Sequence, residues 1–417
     1  MTKKNNLLIY IYTYATYLIM FCTPIEPLLK GLYKPLKYLY IAFFLVIFIS
    51  KKYKKESLNF YYLLMIIFLA ISGFSIVISN HKQSSISMFI ELATNLFLAI
   101  GASYCLKIKG SNMKENNLSK IIYSFIYGNL IMTLYLIIFE LPSMGKWGRL
   151  GYDLYENYGS FMVYSYCEII SICYLLWDIF INYSKNDKKV SKNKIKKIIM
   201  LLILIIGALV SGTRKAILCP IIFMACALLI QYKDKLGKMT LYFVIMLVAL
   251  IIGYKIMMTN EIFYNRIGSR IESMIESVKS QNIVDGSINE RTTLKKLSIK
   301  CFLDNPILGY GLHAFRYYSY NNGGPYLYSH CNFTEILADL GIIGFVPYYL
   351  AYLYIIIKSK KLVDLDKVAV FIVSFMIMCT IADYSTVSYY RQHFLIIYFL
   401  LASYLQLVYQ SKKTLKK

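Results

Sequence analysis

Apolar runs recur along the whole chain and are separated by short polar links. The runs are about 15–22 residues long, which approaches the ~20 residues that a helix needs to cross ~30 Å of hydrocarbon. The pattern predicts twelve transmembrane helices, near residues 7–25, 36–50, 58–79, 86–106, 121–141, 158–181, 198–213, 216–232, 239–258, 333–357, 368–384 and 394–409. The first run lacks a small-residue cleavage site, so we interpret it as a retained helix.

These runs predict an all-α polytopic integral membrane protein in three parts. Residues 1–258 hold the first nine helices, and residues 259–332 form one long extracytoplasmic loop with short helices. Residues 333–417 hold the last three helices and a cytoplasmic tail. The composition agrees, since 58% of the 417 residues are hydrophobic, against roughly 45–50% in soluble domains. The chain has no convincing internal repeat, which disfavours transporter folds built from repeated halves.

The lysines predict the orientation of the chain. If the amino terminus is cytoplasmic, the alternation of helices places most of the 46 basic residues in cytoplasmic links, such as "KKYKK" and the final "KKTLKK". Positive charge marks the cytoplasmic side of membrane proteins, so both termini are predicted to be cytoplasmic. The net charge of +24 then reflects topology. We expect no nucleic-acid partner, because the lysines form no single basic face.

The arginines are distributed differently from the lysines. All seven lie on the predicted outer side: Arg149, Arg214, Arg266, Arg270, Arg291, Arg316 and Arg391. A guanidinium group holds phosphate or carboxylate through two parallel hydrogen bonds, which lysine cannot do. The outer side is therefore predicted to bind an anion. Arg214 lies in "SGTRKAIL", a link too short to leave the membrane, where charges are usually functional. A side chain that only snorkels from a helix end is the alternative.

The long outer loop is predicted to contain two helices. Ile267, Ile271 and Ile275 share one face of an amphipathic helix that would lie on the membrane or on the helical bundle. A second helix is predicted to begin near Arg291 and to end before "DNP", because Pro306 disfavours helical geometry at the residue before it. Six tyrosines follow between residues 310 and 328. They form either an interfacial belt or a surface on which sugar rings stack.

One of only four histidines, His330, lies in "SHCNFTEILADLGIIG". Asn332 and Glu335 have the spacing of a capping box, which predicts a helix start at Asn332. The positive end of that helix would keep His330 neutral and able to accept a proton. A histidine that only hydrogen-bonds its loop is the alternative. The sequence has no zinc-ligand pattern, phosphate-binding loop or nucleophile elbow, so we expect no metal and no cofactor.

The segments "ERTTLKKLSIKCFLDNPILGYGLHAF" and "HCNFTEILADLGIIG" resemble the signature region of the O-antigen ligase and polymerase superfamily. "SGTRKAIL" is similar to the S-G-S-R-G-A motif of that family. The matching positions are Arg214, Arg291, Pro306, Gly309, Gly311, His330, Glu335, Gly341 and Gly344. The chain departs from the pattern at Lys215, where glycine is usual, and at Cys331, which moves the asparagine after the histidine to Asn332. That spacing resembles Wzy-type polysaccharide polymerases.

The resemblance implies a fold of the glycosyltransferase C type and a glycosyl transfer at the outer membrane face. A glycan on undecaprenyl diphosphate would be transferred to a sugar hydroxyl with inversion and without metal. Arg214 and Arg291 would stabilise the leaving diphosphate, and His330 would be the base. Further substrate contacts are expected from Arg266, Arg270, Arg316, Tyr310 and Glu335.

Two alternatives stay open on the sequence alone. One is ligase-like transfer of the glycan to a lipid or protein acceptor. The other is a flippase or exporter of lipid-linked oligosaccharide, which would usually carry ionisable residues deep within its membrane helices. The partners implied are an undecaprenyl-diphosphate-linked oligosaccharide and the lipid bilayer, with a chain-length regulator and a flippase as candidates.

Overall fold

A computed structural model describes residues 3–50, 59–108, 114–141, 162–182, 190–269, 271–273, 276 and 286–415. Every regular element in these ranges is helical, and none of these residues lies in a strand. The all-α prediction is confirmed. Twelve long helices occupy the positions of the predicted spans: α1 (Lys3–Cys22), α2 (Tyr33–Ser50), α3 (Phe60–Ile78), α4 (Lys82–Ile108), α5 (Lys114–Tyr135), α6 (Met162–Phe180), α7 (Val190–Ser211), α8 (Arg214–Gln231), α9 (Leu236–Thr259), α12 (Asn332–Lys360), α13 (Lys367–Ala382) and α14 (Gln392–Leu415).

Within the described ranges, nine helices are long and apolar enough to cross a membrane. The apolar parts of α1 and α13 are shorter, and α7 begins with a lysine-rich turn. Many apolar side chains point outward from the bundle; on α9, for example, Leu241, Val244 and Ile245 are more than half exposed. Such surfaces are unfavourable in water and normal against lipid. The chain is therefore a multi-pass membrane protein.

The bundle has two ends that differ in composition. The site end carries the α1–α2, α3–α4, α7–α8 and α13–α14 links and the segment between α9 and α12. The lysine end carries the α8–α9 and α12–α13 links. There, Lys233 of the α8–α9 link pairs with Asp364 of the α12–α13 link at 2.9 Å. Trp177 Nε1 also donates a 2.9 Å hydrogen bond to the Lys367 carbonyl at this end.

Two further helices, α10 (Gly286–Asp304) and α11 (Phe315–Asn321), lie at the site end. The start of α10 precedes the predicted position by five residues, and its end before the proline is as predicted. Leu294, Cys301, Phe315 and Ala338 form a small buried cluster that fastens both helices to α12. In the predicted amphipathic helix, Glu261–Phe263 is a short helix and Tyr264–Gly268 a π turn, and residues 269, 271–273 and 276 are also helical. Most of the rest lies outside the described residues.

Candidate active site

The helix that follows His330 is broken. Gly341 has φ 59° and ψ −166°, so α12 consists of two helical pieces joined by a kink. The freed backbone groups pair with the preceding loop: the N–H groups of Tyr310 and Gly311 donate to the carbonyls of Ala338 and Asp339, at 3.0 and 2.8 Å. Ile342 N donates to the Pro306 carbonyl at 2.9 Å. Interrupted helices persist in membranes only where such groups find partners. We call this pairing of residues 306–311 with the kink the joint.

Glycine is required on both sides of the joint. At Gly341, a Cβ atom would collide with the Ile307 backbone carbonyl, and at Gly309 it would collide with the Asp339 backbone. Both residues also have positive φ angles, 59° and 68°, which side chains disfavour. The P-x-x-G-x-G and G-x-x-G patterns of the sequence are therefore two halves of one packing contact.

Asp339, one residue before the kink, holds the loop that leads to Arg316. Its buried carboxylate accepts hydrogen bonds from His313 N and Phe315 N, each at 2.9 Å. Phe315 N is the first N–H group of α11, and a carboxylate stabilises such a helix end. The same loop is fastened to the α3–α4 region, where the His313 ring and Ser84 Oγ are 2.7 Å apart.

The predicted capping box at the head of α12 is wrong. Cys331 is the N-cap and contributes no side-chain cap hydrogen bond. The Asn332 side chain instead binds the α13–α14 link: its Oδ1 accepts from Ser388 N at 2.9 Å, and its Nδ2 donates to Asp383 at 3.2 Å. Glu335 accepts a 2.5 Å hydrogen bond from Ser329 N. Glu335 is 1% exposed, so its carboxylate positions the backbone beside His330.

His330 is held in an unusual conformation. Its φ is 59°, a left-handed value that costs a non-glycine residue roughly 1–2 kcal/mol. Hydrogen bonds from Ser329 Oγ to the Cys331 carbonyl at 2.8 Å, and from Cys331 N to Ser329 Oγ at 3.2 Å, fix the backbone on both sides. The imidazole lies 4.2 Å from the Tyr328 ring, between centroids. Strained residues held this firmly cluster at functional sites.

Four cations lie within electrostatic reach of the imidazole. Burial first, and then the positive charges of Arg291, Lys215, Lys295 and Arg316, lower the pKa of His330 from 6.5 to about 3. The imidazole is therefore neutral at pH 7, as the sequence predicts. The cause differs from the expected helix dipole, because burial and neighbouring side chains dominate.

These cations come from three different helices. Arg291 and Lys295 lie one turn apart and share a face of α10, with Lys295 Nζ 3.5 Å from the centroid of the Tyr384 ring. Lys215, near the start of α8, donates hydrogen bonds to the Ser385 carbonyl and, at 2.7 Å, to Thr386 Oγ1. Arg316 lies 5.6 Å from the Tyr328 centroid. Its Nε is buried and has no hydrogen-bond partner among the described residues.

The remaining predicted site residues have different positions. Arg214 is the first residue of α8 and follows Gly212, whose φ is 68°, so it lies at a helix end as predicted. Tyr310 packs beside α11, with its ring 5.3 Å from Tyr318. The side chain of Arg266 and the whole of Arg270 lie outside the described residues.

Sequence reasoning did not select Lys215, Lys295 or Asp339. Two of them had a recognisable signal: Lys295 follows Arg291 by one helical turn, and Asp339 is an acid inside an apolar run, where acids are usually functional. Lys215 was noted only as a departure from a family pattern. Among the described residues, no three His, Cys, Asp or Glu side chains are grouped as metal ligands would be.

The comparison with known protein families gives one match. Residues 199–349 match the family model described as O-antigen ligase. This range extends from α7 into α12 and contains Arg214, Arg291, the joint and His330. None of the curated proteins matches the chain.

Proposed function

We propose that the chain is a glycan-transferring membrane enzyme of the O-antigen ligase and polymerase superfamily, and that it polymerises undecaprenyl-diphosphate-linked oligosaccharide repeat units. The match of residues 199–349 to the O-antigen ligase family model supports this proposal. The product would be a capsular, exo- or O-antigen polysaccharide. The observation that carries the proposal is a neutral histidine in a strained loop conformation within electrostatic reach of four cations. Such a site combines a proton acceptor with a receptor for a multiply charged anion.

His330 is the general base in this proposal. The acceptor hydroxyl gives its proton to the neutral imidazole as its oxygen attacks the anomeric carbon of the donor sugar. A new carbon–oxygen bond forms while the bond from that carbon to the diphosphate oxygen breaks. The electron pair of the broken bond leaves with the lipid diphosphate. Attack from the side opposite the leaving group inverts the anomeric centre.

The surrounding cations stabilise the diphosphate as it leaves. Arg291 offers a guanidinium fork, Lys295 and Lys215 are fixed by contacts with the α13–α14 link, and Arg316 has an unpartnered Nε. Charges held in place before reaction are the most effective at stabilising developing negative charge. Binding of the diphosphate also offsets the charges that lower the pKa of His330. The base therefore strengthens when the donor is bound.

The lysine end is assigned to the cytoplasm by its positive charge. The site end is then extracytoplasmic, with α10, α11 and His330 at the outer face of the cytoplasmic membrane. Both termini are cytoplasmic in this arrangement. Asn332 lies two residues after His330, a spacing that resembles that of polymerases. This resemblance alone supports a polymerase over a ligase that transfers the glycan to a lipid or protein.

An exporter of lipid-linked oligosaccharide is the second candidate, and one observation favours it. Glu168 is fully buried within α6, and buried acids in membrane helices often couple transport to ions. An exporter would need Glu168 and would not need His330. Glu168→Gln should therefore leave polymerisation intact if the protein is a transferase.

The test uses purified protein in liposomes that contain lipid-linked repeat units. His330→Gln keeps hydrogen bonding but cannot take the proton, so polymer formation should fall by about 10²–10⁴-fold. The control is His81→Gln, which changes a site-end histidine that stacks on Tyr317. Both variants are compared with wild type at matched thermal stability. Near-normal polymerisation by His330→Gln would remove this residue from the chemistry.

A further inference from the structure

A cavity of about 380 Å³ lies beside the candidate active site. It lies between the α1–α2 link, the start of α2, the outer half of α4, and the residues where the α13–α14 link meets α14. Its wall includes Glu26, Lys34, Lys37, Tyr38, Ser87, Glu91, Thr94, Asn95, Arg391, Gln392 and His393. His330 and its four cations are not part of this wall. The volume falls in the range of about 300–1,000 Å³ typical of small-molecule sites.

The polar groups of the wall are already fixed in place. Gln392 Nε2 donates to Glu26 at 2.8 Å, and Lys37 Nζ donates to Asn95 Oδ1 at 3.1 Å. Asn95 Nδ2 in turn donates to the Tyr390 carbonyl at 2.8 Å. Carboxylates, amides and ammonium groups held in this way can exchange hydrogen bonds with the hydroxyls of a ligand without reorganising.

Arg391 is the wall residue that calls for a ligand. Its Nε is buried and has no hydrogen-bond partner among the described residues. Its guanidinium lies 4.6 Å from the centroid of the Tyr390 ring. Buried polar groups normally have partners, and the natural partner of a guanidinium fork is an oxyanion.

Arg391 also connects the cavity with the active site. It lies within electrostatic reach of Tyr328, and the Tyr328 ring is 4.2 Å from the His330 imidazole. Tyr166 lies within electrostatic reach of both Arg391 and Arg291. A molecule in the cavity would therefore lie on the Tyr328 side of the space where His330 takes the proton of the acceptor hydroxyl.

We propose that this cavity is a saccharide subsite that holds an acidic sugar residue of the acceptor glycan, with the sugar carboxylate on Arg391. The proposal rests on the glycosyl-transfer function proposed above. The sugar hydroxyls pair with Glu26, Asn95 and Gln392, and Tyr38 offers a ring for the apolar face of the sugar. The carboxylates of Glu26 and Glu91 would repel a diphosphate, which carries two negative charges. For a ligand with a single carboxylate, the positive charges of Arg391, Lys34 and Lys37 offset this repulsion.

The ionisation of Glu26 is compatible with an acidic ligand. Burial raises the pKa of Glu26 from 4.5 to about 7, against the opposing effect of Lys37. Near neutral pH the carboxyl is therefore only partly ionised. The wall keeps a net positive charge, because Arg391 and the two lysines outweigh the remaining negative charge.

The experiment measures binding by saturation-transfer NMR to the full-length protein in nanodiscs. The probes are a glucuronic-acid-containing disaccharide, a neutral glucose disaccharide and inorganic diphosphate. The acidic disaccharide should bind, and Arg391→Lys should weaken it by about tenfold or more, because a buried fork contact is lost. Thr94→Phe should block the cavity, and it removes no hydrogen bond to another helix, since Thr94 bonds only carbonyls of α4. Lys300→Met, which changes an exposed cation of α10, and His330→Gln should bind the disaccharide as wild type does.

The outcomes separate this inference from the proposed function. Undiminished binding of the acidic disaccharide to Arg391→Lys and to Thr94→Phe would overturn the subsite, as would equal binding of the neutral disaccharide. If Thr94→Phe abolishes the binding of diphosphate, the cavity binds the donor instead, and the proposed saccharide subsite is overturned. Diphosphate binding that is weakened by Arg291→Lys and unchanged by Thr94→Phe supports the separate donor site. That result stands even if the disaccharide does not bind.

Discussion

At the scale of single residues, the chemistry of the site depends on charges that the fold brings to His330. Arg291, Lys295, Lys215 and Arg316 are all cations within electrostatic reach of a half-buried imidazole, and partial burial with these charges keeps it unprotonated. Repulsion between the four positive charges is unfavourable, and binding of an anionic donor reduces this repulsion. The same four positive charges therefore attract a diphosphate and keep the imidazole neutral.

The role of Arg291 is tested by a substitution that keeps its charge. Arg291→Lys loses the fork that can bind two phosphate oxygens, so we expect polymer formation to fall by roughly tenfold or more. Thermal stability should be unchanged, because Arg291 is only partly buried on α10. The control is Lys296→Arg on the exposed part of the same helix. Wild-type polymer yield from Arg291→Lys liposomes would contradict the anion-binding role.

The histidine pKa values predict an acid-sensitive fold. Burial lowers the pKa of His330 to about 3 and that of His313 to about 4, from 6.5. Below pH 6.5 the unfolded chain takes up protons at both residues and the folded chain does not. The free energy of unfolding therefore decreases as pH falls from about 6.5 towards 4, by up to ~1.4 kcal/mol per pH unit for each histidine.

This acid sensitivity can be measured as the unfolding midpoint in detergent between pH 7.5 and 5. His330→Gln removes one of these protonation steps, so its midpoint should depend less steeply on pH than that of wild type. An equal dependence in both proteins would show that the His330 environment differs from the one described.

At the scale of elements, the break in α12 is the feature that positions the site. The joint fixes the loop that leads to Arg316, and Asp339 holds the start of α11 from the same turn of α12. The half-helix before the kink carries Asn332 and Glu335, which hold the α13–α14 link and the Ser329 backbone. A continuous helix would leave no free backbone groups for residues 306–311 to bind.

Gly341→Ala tests the joint. The added Cβ would meet the Ile307 carbonyl at a positive φ, so we expect destabilisation of about 2–4 kcal/mol and loss of polymerisation. The matched control is Gly253→Ala in α9, where a Cβ meets nothing within 4 Å. That change should be neutral or stabilise the helix by about 0.5–1 kcal/mol. Equal unfolding temperatures for the two variants would argue against the joint.

At the scale of the whole molecule, the two ends of the bundle should lie on opposite sides of the membrane. Asn322 is exposed after α11 at the site end, and Lys361 is exposed in the α12–α13 link at the lysine end. In a cysteine-free background, Asn322→Cys should react with an impermeant thiol reagent added to intact cells. Lys361→Cys should react only after permeabilisation. The reverse pattern would place His330 in the cytoplasm.

The sequence by itself determined the properties that depend on local composition. The length of each apolar run predicts a membrane helix, because the bilayer imposes that length on any chain that crosses it. Twelve helices follow these runs. Residue type and short spacing also singled out Arg214, Arg291 and His330. Each can carry a permanent charge or transfer a proton, and few such residues in this chain lie where an apolar run is interrupted.

The tertiary structure alone decided which of these groups meet. Lys215 reaches the His330 environment from a helix more than a hundred residues earlier, whereas Tyr310, much closer in sequence, packs against Tyr318 instead. The capping box failed because Asn332 finds stronger partners at Ser388 and Asp383, over fifty residues later. The spacing of residues along the sequence indicates what a side chain can bind. The packing of helices that are distant in sequence determines which partner is within reach.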